Sequence, residues 1–294
     1  MIEHPRRTPL VVGDDALPTE DDVAFYSEHG YYISKRILPD EVIDAARRGI
    51  DLYFAGERDD LGPATTGYSD WHLGDDPSLR NVEFLAFRNR GVRALVLATI
   101  IGAVAAKLAG ADIIRLWDDQ LVWKEPVDGM NPAGIVGWHA DRAYWRTCSS
   151  ESMLTAWIPL HDCPAEMGPL QVIDGSHLWR DTDNMRSFRE TDLTELGLSL
   201  QAAVIADRTR TISLAKGQVS FHHCRTVHSS DVNRGTVPRV SLAVHLQDGA
   251  NRWCPHLNEA GVAWELPNDR MARRLTDGRP DYTDPTPFPV LWSS

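Results

Sequence analysis

Two imidazoles and one carboxylate can hold a divalent iron on one side and leave its other side open for oxygen and a substrate. The chain offers such a set in His139-Ala140-Asp141 and His228. The first two candidates form an HxD pair, and His228 lies 87 residues beyond Asp141. Arg239 follows His228 by 11 residues. If these four converge, the chemistry they imply is iron-dependent oxygenation. Zinc is the alternative metal, because it accepts the same donors. Zinc hydrolysis would call for a nearby general base, and no HExxH is present. A structural zinc prefers a closed set of four ligands, often thiolates. Here Cys148, Cys163, Cys224 and Cys254 are scattered, with no CxxC pair.

Other side chains compete for attention. His222 and His223 rival His228 as ligands, but they sit inside an apolar stretch and read as packed core residues. His228 is favoured because a turn from Asp231 to Pro238 lets a hairpin place it beside Arg239. Gly134, Gly137 and Trp138 precede the HxD pair and put it in a turn leading into a strand. Tyr144 and Trp145 follow it closely and are candidate walls of a substrate pocket, with aromatic core packing as the alternative. Ser176 in Gly175-Ser176-His177 reads as a turn residue, since G-x-S-x-G is absent.

The elements that must position these residues change character along the chain. Pro18-Thr19-Glu20-Asp21-Asp22 predicts a helix start, and Gly30 its stop. A second helix is expected after Pro39-Asp40-Glu41, with Val42, Ile43, Ala46, Ile50 and Tyr53 at helical spacing, ending near Gly56. A long helical region is expected from Pro77-Ser78 through Leu108, closed by Gly110. Beyond it, segments 112–124, 153–160, 169–174, 211–214, 218–223 and 239–247 are β-rich and separated by turn residues, which suggests a sandwich or barrel. Alternating βαβ units are missing, as are GxGxxG and GxxxxGK(S/T), so a Rossmann or P-loop fold is excluded. In 239–246, Val240, Leu242, Val244 and Leu246 share one face, an aliphatic stripe for the helices to cover. Arg239, Ser241, Ala243 and His245 share the other, which puts Arg239 and Ser241 inside the barrel. A buried arginine is costly unless an anion meets it, and a carboxylate-bearing cosubstrate is a candidate.

Composition narrows the partners. The chain has 294 residues, 43% hydrophobic and 24% charged, enough for a sizeable core. Its net charge of −12 argues against a nucleic-acid partner, which would demand a basic face. Asp59, Asp60, Asp70, Asp75 and Asp76 gather where Arg58 is the only Lys or Arg from 58 to 76, which is where a polar or cationic substrate would be read. The N-terminus lacks the apolar core of a signal peptide, and the apolar run Ala94–Ala106 is too short to span a bilayer. The scattered cysteines suit a reducing compartment. The expectation is a cytoplasmic protein with no membrane partner.

Five blocks in order carry a resemblance: FYSEHGYYISKRILPDEVIDAAR, RLWDDQLVWKEP, WHADRAYW, LTAWIPLHDCPAEMGPLQVIDGSH and GQVSFHHCRTVHSSDVNRGTVPR. From about residue 20 to 247 the chain resembles the phytanoyl-CoA dioxygenase family of iron(II)/2-oxoglutarate oxygenases. The resemblance implies His139, Asp141 and His228 as iron(II) ligands. It implies Arg239 as partner of the distal carboxylate of 2-oxoglutarate, with Gln120, Trp157 and Ser230 lining the same cosubstrate site. The implied fold is mainly β with α: a double-stranded β-helix, or jelly roll, with N-terminal helices on one sheet. One oxygenase domain is expected over 1–294, helical to 110, jelly roll over 111–250 and a C-terminal extension over 251–294. The implied activity consumes O2 and 2-oxoglutarate, releases succinate and CO2, and oxidises a C–H bond of a small molecule. Halogenases of related type replace the carboxylate ligand with Ala or Gly, so Asp141 points to hydroxylation or a related oxidation instead, with ring closure, desaturation or epoxidation using the same residues. Segments 57–76 and 175–200, with Trp71 and Trp179, are expected to close over the substrate. Without a basic patch suited to a CoA phosphate, secondary metabolism is expected rather than fatty acyl-CoA oxidation.

Overall fold

The computed structural model describes residues 13–63, 70–127, 134–180, 182–186, 202–258 and 260–294. Helix α1 (Glu20–His29) starts on a reciprocal cap in which the Thr19 hydroxyl accepts from Asp22 N and the Asp22 carboxylate accepts from Thr19 N. Gly30 ends it in the left-handed region, at φ 79°. Helix α2 (Asp40–Phe54) buries Ile43, Ala46, Ile50 and Tyr53 along one face. Asn89 caps α3 (Arg90–Val96) by accepting from Val92 N, and α4 (Thr99–Ala109) closes on Gly110. The start of α1 and the stops at Gly30 and Gly110 are the ones the sequence pattern predicts.

Eleven described strands build two antiparallel sheets: β1 (Tyr31–Ile33), β2 (Leu79–Glu83), β3 (Ile113–Lys124), β4 (Val136–His139), β5 (Leu154–Pro159), β6 (Leu170–Ile173), β7 (Thr209–Thr211), β8 (Ser220–His223), β9 (His228–Ser230), β10 (Arg239–Asp248) and β11 (Val290–Ser293). The major sheet runs β1-β8-β5-β10-β3-β11, with β2 also on β3, and the minor sheet runs β4-β9-β6-β7. Short helices α5 (Ala202–Arg208) and α6 (Pro267–Met271) complete the described elements. The fold is a jelly roll with helices on its major sheet. Strand parity decides what goes where. Val240, Leu242, Val244 and Leu246 join Ile43, Ile50, Leu95, Ile101 and Val104 in one core between sheet and helices. Each such buried side chain contributes roughly 1.5–3 kcal/mol. The alternate residues of β10 face the minor sheet, and the site lies there.

Several expectations are corrected. Residues 77–89 are not α-helical: Leu79–Glu83 is strand β2, paired with Lys124–Gln120, Leu85–Phe87 is a single 3-10 turn, and the α-helix begins only at Arg90. No glycine or proline interrupts 79–90, so local pattern hides a strand created by the exposed edge of β3. The helical region itself breaks at Leu97 and Ala98. By length and composition Arg90–Ala109 could cross a membrane, yet 67% of its most apolar window is buried within the fold. The segment expected as a strand over 211–214 is strand only to Thr211, with Leu214 bridging Cys163. The HxD pair sits at the end of a strand rather than leading into one, since His139 is the last residue of β4. His228 and Arg239 do not share a hairpin: β9 belongs to the minor sheet and β10 to the major, so the turn between them crosses the jelly roll. The C-terminal extension returns to the major sheet as β11, beside Arg115–Ile113 of β3.

Candidate metal centre

His139 and His228 are opposite each other on adjacent strands of the minor sheet, with ring centroids 4.1 Å apart. Asp141 follows two residues later, in the turn that leaves β4. One ligand atom from each of the three lies within 4.8 Å of the others, and all three side chains are buried. Each imidazole is oriented by the backbone: His139 Nδ1 donates to Gly137 O at 2.7 Å, and His228 Nδ1 donates to Thr226 O at 2.9 Å. A carbonyl can only accept, so Nδ1 carries the proton in both rings and each Nε2 presents a lone pair. Burial lowers both imidazoles, His228 to about 4, which keeps them neutral as ligation requires. Burial alone would raise Asp141, but the imidazoles of His228, His222 and His245 hold it well below the usual carboxylate range. Two neutral nitrogen donors and one anionic oxygen converge on one another. That donor set fits a divalent metal with open positions.

A cavity of about 430 Å³, counting its open mouth, joins the cluster to Arg239. Gln120, Trp157, Leu170, Ser230, His222 and His245 also line it. Arg239 is 1% exposed, donates from Nη1 to Gly168 O at 3.3 Å, and leaves Nε without a partner among the described residues. Its guanidinium carbon lies 5.8 Å from the Trp157 ring centroid, and burial lowers it to about 10. Opposite it in register is Lys124, fully buried. The Lys124 ammonium donates to Ser230 O at 3.0 Å, Ser230 Oγ at 2.6 Å and Asp231 O at 2.8 Å. Burial, then the charge of Arg239, lowers it well below the ordinary lysine value. Ser230 Oγ therefore accepts from Lys124 and keeps its own proton to donate. Arg239 lines the cavity with no described carboxylate bonded to it, and Lys124 holds Ser230 beside it, an arrangement that fits one carboxylate of a dianionic cosubstrate.

The other sequence candidates divide. Gln120 and Trp157 line the cavity, although the Gln120 amide also reaches Glu83 Oε1 at 3.4 Å. Ser241 shares the predicted face but not the cavity lining, and its hydroxyl donates to Val122 O at 3.3 Å. Tyr144 sets its ring edge-on to His139 with centroids 5.9 Å apart, and the Arg186 guanidinium lies between the rings of Tyr144 and Trp264. Trp145 belongs to an aromatic core with Trp117, Tyr282 and Phe288, and touches His245. Of the segments expected to close over the substrate, residues 64–69, 181 and 187–200 lie outside the described residues. Trp71 packs on Phe54, and Trp179 packs beside Trp138. Asp59 and Asp70 are held by Arg90 and Arg88, so those carboxylates are already matched with cations. Sequence reading missed Lys124, Thr155 and His245 as site residues and took His222 for packed core. The parity of β10 already put His245 on the face of Arg239, and that was the available signal.

A buried, open two-histidine, one-carboxylate centre between jelly-roll sheets, beside an anion-receptive pocket, defines the class of non-heme iron enzymes that use a 2-oxo acid. The model of the phytanoyl-CoA dioxygenase (PhyH) family matches residues 26–241, and the chain belongs to that family. The phytanoyl-CoA dioxygenase domain-containing protein 1 homolog of Caenorhabditis briggsae is 25% identical over 134 residues. That match spans 44% of this chain and 45% of the worm protein, less than half of either. Dioxygenase olcK of Penicillium canescens is 24% identical over 281 residues, 88% of both chains. Among solved structures, the non-heme alpha ketoglutarate dependent carbocyclase SnoK from nogalamycin biosynthesis is 25% identical, with a TM-score of 0.66 over 93% of this chain and 96% of that one. The epimerase SnoN from the same biosynthesis is 25% identical, with a TM-score of 0.63 over 92% and 98%.

Proposed function

We propose that this protein is an iron(II)/2-oxoglutarate-dependent dioxygenase that hydroxylates a C–H bond of a small molecule in natural-product biosynthesis. In balance, substrate C–H, O2 and 2-oxoglutarate become C–OH, succinate and CO2. The observation that carries this reading is the convergence of His139, Asp141 and His228 in one cavity with the buried guanidinium of Arg239 and with Ser230, whose hydroxyl Lys124 engages from behind. In it, the two Nε2 atoms and the Asp141 carboxylate hold the iron, which when bound supplies the oxidising chemistry. Arg239 grips the distal carboxylate of 2-oxoglutarate, and Ser230, polarised by Lys124, donates to the same group. Trp157 and Leu170 keep water from that end of the cavity.

Tyr144, edge-on to His139, with the Arg186 guanidinium between it and Trp264, supports a ring-bearing substrate beside the metal centre. On the sheet face shared with Gln120, Asp118 is 9% exposed with Oδ1 unpartnered among the described residues. Burial, then the Glu83 carboxylate, raises it well above the usual range. Gln120 on the cavity wall, with the Asp118 carboxyl behind it on the same strand face, supports a polar substrate better than the acidic stretch 57–76 does. Four unpaired thiols suit a cytoplasmic location. SnoK and SnoN are a carbocyclase and an epimerase on the same fold, so the outcome is tested on the product itself.

The test is substrate-independent conversion of 2-oxoglutarate to succinate with iron(II) and ascorbate, followed by mass-spectrometric screening of candidates for a gain of one oxygen. Succinate formation that disappears in Asp141→Ala is expected. Absence of turnover, together with no visible absorption band on anaerobic addition of iron(II) and 2-oxoglutarate, would leave a metal-binding jelly roll without catalysis.

A further inference from the structure

The two oxygens of Asp141 live in different surroundings. Oδ1 faces the ligand imidazoles, 3.6 Å from His228 Nε2 and 3.9 Å from His139 Nε2. Oδ2 faces the major sheet, 2.6 Å from Thr155 Oγ1, 3.4 Å from His222 Nε2 and 3.9 Å from His245 Nδ1. Resting on the metal reading above, we propose that Thr155, His222 and His245 form an outer clamp on Oδ2. The clamp presents Oδ1 alone to the metal and keeps Asp141 a one-oxygen ligand.

The hydrogen-bond directions follow from proton counting. Asp141 is ionised and can only accept, so Thr155 donates its single hydroxyl proton to Oδ2. The Thr155 oxygen then has only lone pairs left for His245 Nδ1, 2.8 Å away, and that nitrogen must carry the proton. The chain therefore runs from His245 Nδ1–H to Thr155 Oγ1–H to Asp141 Oδ2. His222 reaches the same oxygen from the other side. It is 1% exposed, and neither ring nitrogen has a well-aligned partner among the described residues. Leaving such a group unsatisfied in a core costs about 1–3 kcal/mol, a cost that an apolar ring of similar size would avoid. An imidazole whose nearest carboxylate oxygen is Oδ2 has a use there that packing alone does not supply.

Register explains why the clamp is firm. His222, Thr155 and His245 are consecutive partners across β8, β5 and β10, one row on the inner face of the major sheet. Asp141 comes from the opposite sheet and lands on that row. A carboxylate can bind a metal through one oxygen or two, and binding through two would occupy a position that the cosubstrate or O2 needs. Holding Oδ2 on the sheet removes that option.

Cobalt(II) titration of the metal-free protein, without cosubstrate, tests this through affinity and through visible d–d bands that report coordination number. Thr155→Val removes the hydroxyl at nearly constant volume, and His222→Phe removes the imidazole. Thr155→Val is expected to weaken cobalt binding roughly 10–100-fold and to change the band pattern, with Thr155→Ser restoring both. His222→Phe is expected to shift the same bands with a loss of roughly 10-fold. Wild-type affinity and an unchanged spectrum in both folded variants would overturn the clamp, and His222→Phe alone decides if Thr155→Val does not fold. A folded wild-type protein that takes up no cobalt would overturn the metal reading instead.

Discussion

Arg239 and Lys124 face each other across β10 and β3 with no described carboxylate bonded to either. Buried charges of one sign, side by side, are costly unless an anion arrives to share them. Replacing Arg239 by Ala should raise the KM for 2-oxoglutarate by roughly 100-fold, the loss of a charge-assisted bidentate contact, with a smaller fall in kcat. Lys124→Met should act differently. It strands the carbonyls of Ser230 and Asp231, each at a cost of about 1–3 kcal/mol, so the melting temperature falls as well as cosubstrate affinity. Succinate formation at varied 2-oxoglutarate, beside thermal melts, separates the two, and an unchanged KM in Arg239→Ala would move the cosubstrate elsewhere. His139, Asp141, His228 and Arg239 were legible because their types and spacing are themselves the chemistry. Lys124 was not, because it lies outside every metal motif and acts through register. Ser241 shows the limit of parity, which gives the face but not the row: its hydroxyl is taken up by Val122 O.

Elements set rows and turns, and one turn is decisive for the site. Gly168 sits at φ 61°, its carbonyl accepts from Arg239, and a Cβ there would overlap the carbonyl oxygens of Asp231 and Val232. Asp231 O is also an acceptor for Lys124. Gly168→Ala should therefore destabilise the fold by about 1–3 kcal/mol and weaken 2-oxoglutarate binding through both cations, with no change in the metal ligands. Calorimetry and the KM for 2-oxoglutarate check this, and an unaltered KM would separate the turn from the pocket. The helix caps at Thr19, Gly30 and Gly110 were legible because capping is a local matter. Strand β2 was not, since its only reason to be a strand is the edge of β3 some 40 residues later in the chain. The passage from β9 to β10 misled in the same way. A turn sequence shows that the chain reverses, but not whether it returns to the same sheet.

Over the whole molecule, burial keeps uncharged the imidazoles of the site and that of His223, the neighbour of His222 on β8. His228, His245 and His223 are each lowered to about 4, and His139 and His222 are lowered too, burial being the largest cause in every case. In the unfolded chain these rings titrate near their ordinary value of about 6.5. Between that pH and about 4 the unfolded state binds protons that the folded state refuses. Stability is therefore complete above about pH 6.5 and declines as the pH falls towards 4, by on the order of 1 kcal/mol per pH unit for each of the three most shifted rings. Asp141 extends the loss at lower pH, since its depressed carboxyl stabilises the fold only while ionised. A bound divalent metal opposes the decline, because it binds only the folded, deprotonated site. Metal-free protein should thus lose melting temperature steadily from pH 7 to pH 5, whereas cobalt-loaded protein should hold it until the pH nears 4, where protons displace the metal. Differential scanning calorimetry with and without chelator measures both curves. A flat metal-free curve from pH 7 to 5 would mean that these rings are not kept neutral by burial, and the site would then have to expel protons before it could take up metal.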